Sequence, residues 1–112
     1  MVTAYKLTVR DGPKVRRQRH DDLESALRAL ELEVREIASG VRARPIDTKL
    51  RRFEPAQQVV ARLEVAGPGR LHGGIDVRGD GSTEAFTGRI RRRLVEQRES
   101  ESAEAALRRT LT

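Results

Sequence analysis

Asp21–Ser39, DDLESALRALELEVREIAS, is the stretch whose reading decides the fold. Leu23, Leu27, Leu30, Val34 and Ile37 recur at steps of four, three, four and three, the spacing of one stripe on a 3.6-residue helix. Ala26 and Ala29 flank the stripe and Ala38 extends it, while Glu24, Arg28, Glu31, Arg35 and Glu36 fall on the other face. The acid precedes the base by four residues in Glu24–Arg28 and Glu31–Arg35, the favourable orientation for a helical ion pair. Asp21 is placed to cap the first turn, with Glu24 three residues on, and acids there oppose the positive end of the helix dipole. Gly40 follows the last periodic residue, where a left-handed stop is expected. The spacing therefore predicts a helix over 21–39. Its net acidic polar face is unlike that of a membrane-surface helix, which carries Lys and Arg. A core helix lying on a sheet is the better reading, with a partner-binding helix as the alternative.

Outward from the helix, both flanks read as strands. Tyr5, Leu7 and Val9 alternate with Lys6, Thr8 and Arg10, the pattern of a half-buried strand with a basic outer face. Asp11-Gly12-Pro13 is a turn, and KVRRQR at 14–19 returns as a charged edge strand that discourages edge-to-edge association. After Gly40, a short strand near 41–44 and a loop carrying Ile46, Leu50 and Phe53 are expected, because Pro45 and Pro55 suit no central strand.

From Gln57 to Ala66, Val59, Ala61, Leu63 and Val65 share one face and Val60, Arg62, Glu64 and Ala66 the other. Gly67-Pro68-Gly69 ends this strand, and Gly73-Gly74 opens the next, with Ile75 and Val77 inward. Gly79-Asp80-Gly81-Ser82 is a hairpin turn, after which Thr83–Ile90 returns with Phe86 and Ile90 inward. Residues 90–97, IRRRLVEQ, fit a continuing strand better than a helix. A short helix follows over 102–111, with Ser102 as N-cap and Arg108 and Arg109 at its end. The expected fold is α+β: one domain over 1–112, an antiparallel sheet of five or six strands, the long helix on one face and the short C-terminal helix packed at an edge or used in a dimer.

A chain of 112 residues is long enough to bury roughly two-thirds of its unfolded surface. With two Phe, one Tyr and no Trp, the core must be mostly aliphatic, and a homodimer sharing apolar surface fits that economy. The absence of cysteine excludes disulfides and thiolate metal sites. MVTAYKLTV has no long apolar run of the signal-peptide kind, so a cytoplasmic location is expected, with no membrane partner.

The net charge of +6 is uneven: residues 1–20 carry +5, 21–40 carry −4, 41–60 and 81–95 carry +3 each, 61–80 are neutral, and 96–112 carry −1. Such asymmetry points to a polyanion-facing surface. The basic clusters are Lys14/Arg16/Arg17/Arg19, Arg42/Arg44, Lys49/Arg51/Arg52 and Arg89/Arg91/Arg92/Arg93. A guanidinium suits phosphate because its planar fork donates two parallel hydrogen bonds. The candidate contacts are Lys14, Arg16, Arg17, Arg19, Arg51, Arg52, Arg89, Arg91 and Arg93, on the expectation that folding brings the clusters onto one continuous surface, with Lys6, Arg10, Arg62, Arg78, Arg89 and Arg91 collected by the open sheet face. Glu64, Asp76 and Glu84 dilute that face, and aromatic stacking platforms are nearly absent.

The leading expectation is thus a small non-catalytic protein that binds nucleic acid, RNA more than DNA, with no cofactor and no metal. An oligomeric interaction protein is the second reading. A small ribonuclease using His72 is the third, and sequence supplies no partner for its proton transfer. GPGRLHGG at 67–74 lacks the ending of a phosphate-binding P-loop. DVRGDGSTE fails as a calcium loop, since Arg78 stands where an oxygen ligand belongs.

Overall fold

The computed structural model describes residues 4–43 and 58–112. Six antiparallel strands form one sheet: β1 (Tyr5–Asp11), β2 (Lys14–His20), β3 (Val59–Ala66), β4 (His72–Arg78), β5 (Thr83–Thr87) and β6 (Arg93–Leu94), in the order β2-β1-β3-β4-β5-β6. Helix α1 (Leu23–Ala43) packs on β1, β2, β3 and β4, and α2 (Ala103–Leu111) packs on β4 and β5. The architecture is the expected α+β one.

The β1–β2 hairpin turns on Gly12 and Pro13, with Asp11 paired to Lys14. Gly12 has φ +60 at the first central position, which glycine adopts freely, and the proline ring fixes φ at the second. That turn sets the register and sends Leu7 and Val9 under the sheet with their β3 partners Val65 and Leu63. Ile75, Val77 and Ala85 continue this layer, and Ala26, Leu27, Leu30, Val34 and Ile37 of α1 close it. Ala103 and Leu107 bring α2 into the same core.

Several expectations are corrected by the coordinates. The cap of α1 is Asp22, not Asp21: its Oδ1 accepts from the Ser25 backbone N–H at 2.7 Å. Glu24 takes no part in a capping box and pairs with Arg28 and Arg108. Glu31 also turns to Arg108, at 2.8 Å, rather than to Arg35. The helix runs through Gly40 to Ala43, so no strand begins at Val41. Val41 lies four residues beyond Ile37 and packs on the core, prolonging the stripe past the expected stop.

In β3 a bulge lies between Val59 and Ala61. It turns Val60 toward the core and leaves Val59 43 % exposed, the reverse of strict alternation. Beyond β5 the strand does not continue: the chain turns at Gly88, φ +91, and comes back as the two-residue β6. Phe86 and Ile90 do not face the helices. Ala85 occupies the core side, Phe86 is buried on the opposite face, and Ile90 is 93 % exposed. The loop residues Ile46, Leu50 and Phe53 lie outside the described residues. Ser102 caps α2 as expected, accepting from Ala105 N–H at 3.1 Å.

Candidate nucleic-acid interface

Both helices lie on one side of the sheet, which leaves the other side open. Alternation from Leu7 and Val9 puts Lys6, Thr8 and Arg10 of β1 on that open side. The hairpin register adds Val15, Arg17 and Arg19 of β2, each opposite one of them: Arg10↔Val15, Thr8↔Arg17, Lys6↔Arg19. Arg62 and Glu64 on β3, His72, Asp76 and Arg78 on β4, and Glu84 and Phe86 on β5 complete the surface. Arg92 reaches over it from the turn before β6.

The open face divides into two electrostatic zones. Over β3, β4 and β5 the cations are matched. Arg62 forks onto Asp76 at 2.6 and 2.9 Å, and this hydrogen bonding raises the Arg62 pKa further against the opposing effect of burial. Arg78 donates to Glu84 at 2.7 Å. Glu64 receives His72 Nε2 at 2.9 Å and Arg92 at 3.7 Å. Arg62 and Arg92 also flank the Phe86 ring, at 5.5 and 5.1 Å from its centroid. Phe86, the one aromatic of this face among the described residues, is thereby covered and offers no stacking platform.

Over β1 and β2 the charge is unmatched. Lys6, Arg10, Arg17 and Arg19 are all exposed, and none has a carboxylate at ion-pair distance among the described residues. Lys6 and Arg19 are directly paired cross-strand neighbours, an arrangement in which like charges repel. Among the described residues of the six strands and the turn before β6, the open-face cations outnumber the carboxylates by four: Lys6, Arg10, Arg17, Arg19, Arg62, Arg78 and Arg92 against Glu64, Asp76 and Glu84.

The nine candidate contacts do not converge. Arg17 and Arg19 join the open face. Arg16 points under the sheet and forks onto Glu33 of α1 at 3.1 and 2.8 Å, hydrogen bonds that raise its pKa. Lys14 falls in the same helix-side register, opposite Asp11. Arg91 and Arg93 are exposed near β6, and Arg93 pairs with Thr87 on the helix-side register. With strands about 4.8 Å apart, the β2 and β6 edges are separated by five spacings, about 24 Å. Arg51 and Arg52 lie outside the described residues. Lys6 and Arg10, which lie outside the contiguous basic runs, join Arg17 and Arg19 on this face, as the alternation of β1 and the tight hairpin turn indicate.

The two histidines sit on opposite faces. His20 shares the helix-side register with Gln18, whose Oε1 lies 3.0 Å from its Nε2. His72 has both ring nitrogens engaged, Nδ1 with the Gly88 carbonyl at 3.1 Å and Nε2 with Glu64. Among the described residues no cluster of His, Asp or Glu could hold a metal ion, and no helix is long and apolar enough to cross a membrane.

No protein-family model matches the chain, and neither a curated protein nor a solved structure matches it.

Proposed function

We propose that the chain binds nucleic acid without catalysis, through the β1–β2 half of its open sheet face, with single-stranded RNA as the preferred form. The observation that supports this reading is the zone of Lys6, Arg10, Arg17 and Arg19, held together with no intramolecular counter-charge among the described residues. Keeping Lys6 opposite Arg19 costs stability in the free protein, and phosphates bridging the two would offset that cost. Single strands are favoured over duplex DNA because the cations lie on a broad sheet surface rather than on a helix or free ribbon. A six-stranded sheet about 24 Å across does not enter a major groove about 12 Å wide. With Phe86 covered, affinity rests on phosphate contacts, so sequence preference is weak.

The test is fluorescence anisotropy with a labelled polyuridine 20-mer over a range of salt. Four phosphate contacts predict a slope of log affinity against log salt of about −3. Arg17→Glu combined with Arg19→Glu should remove most of the binding, while Arg91→Glu with Arg93→Glu at the far edge should change it little. Undetectable binding at low salt, or equal losses from the two pairs of charge reversals, would reject the reading. A quick indicator is the 260/280 nm absorbance ratio of the purified protein, since one Tyr and no Trp contribute little at 280 nm.

A further inference from the structure

The row of the sheet that carries Arg19 and Lys6 continues across β3 and β4. Lys6 pairs with Ala66, and Ala66 pairs with His72. At that end of the open face lies a cleft of about 410 Å³ lined by Ala66, Gly67, Arg70, Leu71, His72, Arg89 and Ile90. Its two arginines come from different segments, Arg70 from the β3–β4 turn and Arg89 from the turn after β5. Neither has an ion-pair or hydrogen-bond partner among the described residues. Beside them stand Leu71 and Ile90, and Ile90 is 93 % exposed, an aliphatic side chain left uncovered between cations.

The backbone gives a second, independent observation. Leu71 N–H donates to the Pro68 carbonyl at 3.3 Å, closing a turn whose central residues are Gly69 at φ +68 and Arg70 at φ +64. Positive φ at both central positions is the type I′ geometry, which favours Asn or Gly and not a long side chain. Arg70 is thus held in a conformation unfavourable to it, in the cleft that it lines. Local strain of this kind collects at ligand-binding sites.

We propose that this cleft takes the terminal phosphate of a nucleotide, with Arg70 and Arg89 on the phosphate and the nucleoside against Ile90 and Leu71. The proposal rests on the reading of the open face as a nucleic-acid surface, because the row through Lys6 and Arg19 leads a strand to the cleft. Two sources share this chemistry, a free nucleotide and the end of a bound strand. His72 also lines the cleft, but its two ring nitrogens are engaged by Gly88 and Glu64, so the phosphate contacts are given to the arginines alone.

Amide chemical shifts of the full chain, titrated with uridine 5′-monophosphate, uridine or inorganic phosphate, test the cleft directly. The monophosphate should shift Leu71, His72 and Ile90 more than either fragment does at equal concentration. No shift from the monophosphate, or equal shifts from inorganic phosphate alone, overturns the proposal. A strand end is the source if a 5′-phosphorylated RNA 10-mer binds roughly tenfold tighter than its 5′-hydroxyl twin. Equal binding of the two 10-mers, with the monophosphate shifts present, assigns the cleft to free nucleotides. Those shifts, with no 10-mer binding at all, sustain the cleft while rejecting the face. Arg70→Asn keeps the turn geometry and should abolish the monophosphate shifts without loss of thermal stability. Retained shifts in that variant overturn the role given to Arg70.

Discussion

Phe86 lies over Gly74, its directly paired neighbour on the adjacent strand, so closely that a Cβ on Gly74 would stand 2.8 Å from the ring. The same Cβ would meet the Leu63 carbonyl oxygen at 2.2 Å, a backbone atom that cannot swing away. The ring shields the strand that glycine leaves bare, which is how a large aromatic comes to be buried on the open side of a one-sided sheet. Gly74→Ala is therefore expected to destabilise the fold by about 1–3 kcal/mol through overpacking. Urea denaturation followed by far-UV circular dichroism measures it, and a neutral result would mean that the Phe86–Gly74 contact is loose.

That pair also shows where the sequence was illegible. In TEAFT the larger apolar residue is the natural choice for the core, yet Ala85 sits under α2 and Phe86 above the sheet. Alternation states that the two face opposite ways and is silent on which faces which. The answer lies in Gly74, a cross-strand partner ten or more residues away whose pairing is fixed only once the hairpin forms. The strand ends were hidden for a similar reason, since the bulge at Val60 shifts the faces without a Gly or Pro to announce it. By contrast α1, the β1–β2 hairpin, the 79–82 turn and the Ser102 cap were legible because each is specified locally. Gly40 was a local signal overruled: glycine within a helix costs about 1 kcal/mol relative to alanine, and Val41 packing offsets it. The candidate interface was half legible. Contiguous basic runs advertised Arg16, which folds under the sheet, while the alternation of β1 placed Lys6 and Arg10 on the open face, where they are found.

Arg108 ties α2 to α1, meeting Glu31 at 2.8 Å and also reaching Glu24. A nine-residue helix is marginal alone and depends on such contacts together with Leu107. Arg108→Ala should cost about 1–2 kcal/mol, a charge-assisted network partly open to water. Hydrogen exchange should locate the loss in 103–111 first. A double-mutant cycle with Glu31→Ala checks that the coupling, not the change in helix propensity, carries the effect.

The stretch before α2 carries an acid-sensitive lock. The Glu101 carboxylate accepts from Arg109 and from the Arg98 backbone N–H, and these hydrogen bonds hold its pKa at about 2, below its ordinary 4.5. A carboxyl depressed in the folded state stabilises the fold above its unfolded pKa, and that contribution disappears as pH falls from 4.5 toward 2. Glu101→Gln should lower stability at neutral pH and flatten this part of the acid limb. Thermal melts at pH 2, 3, 4 and 6 measure both, and an unchanged acid limb in the variant would count against the lock.

The proposed interface makes the opposite demand on stability from the core. Lys6 and Arg19 face each other across β1 and β2 with no acid between them, so replacing one by a carboxylate turns repulsion into attraction. Cross-strand charge pairs are worth about 0.2–1 kcal/mol, and Arg19→Glu should stabilise the free protein by an amount in that range. The same substitution removes a phosphate contact, and placing a negative charge beside Lys6 weakens a second. Affinity for single-stranded RNA should therefore fall while the melting temperature rises, and the salt dependence should become shallower by roughly the contribution of the lost contacts. Salt separates the two effects further, because added ions screen the Lys6–Arg19 repulsion and so shrink the gain in stability. A variant that lost both stability and binding would show the pair to be structural, and one that gained stability with binding intact would move the interface off this edge of the sheet.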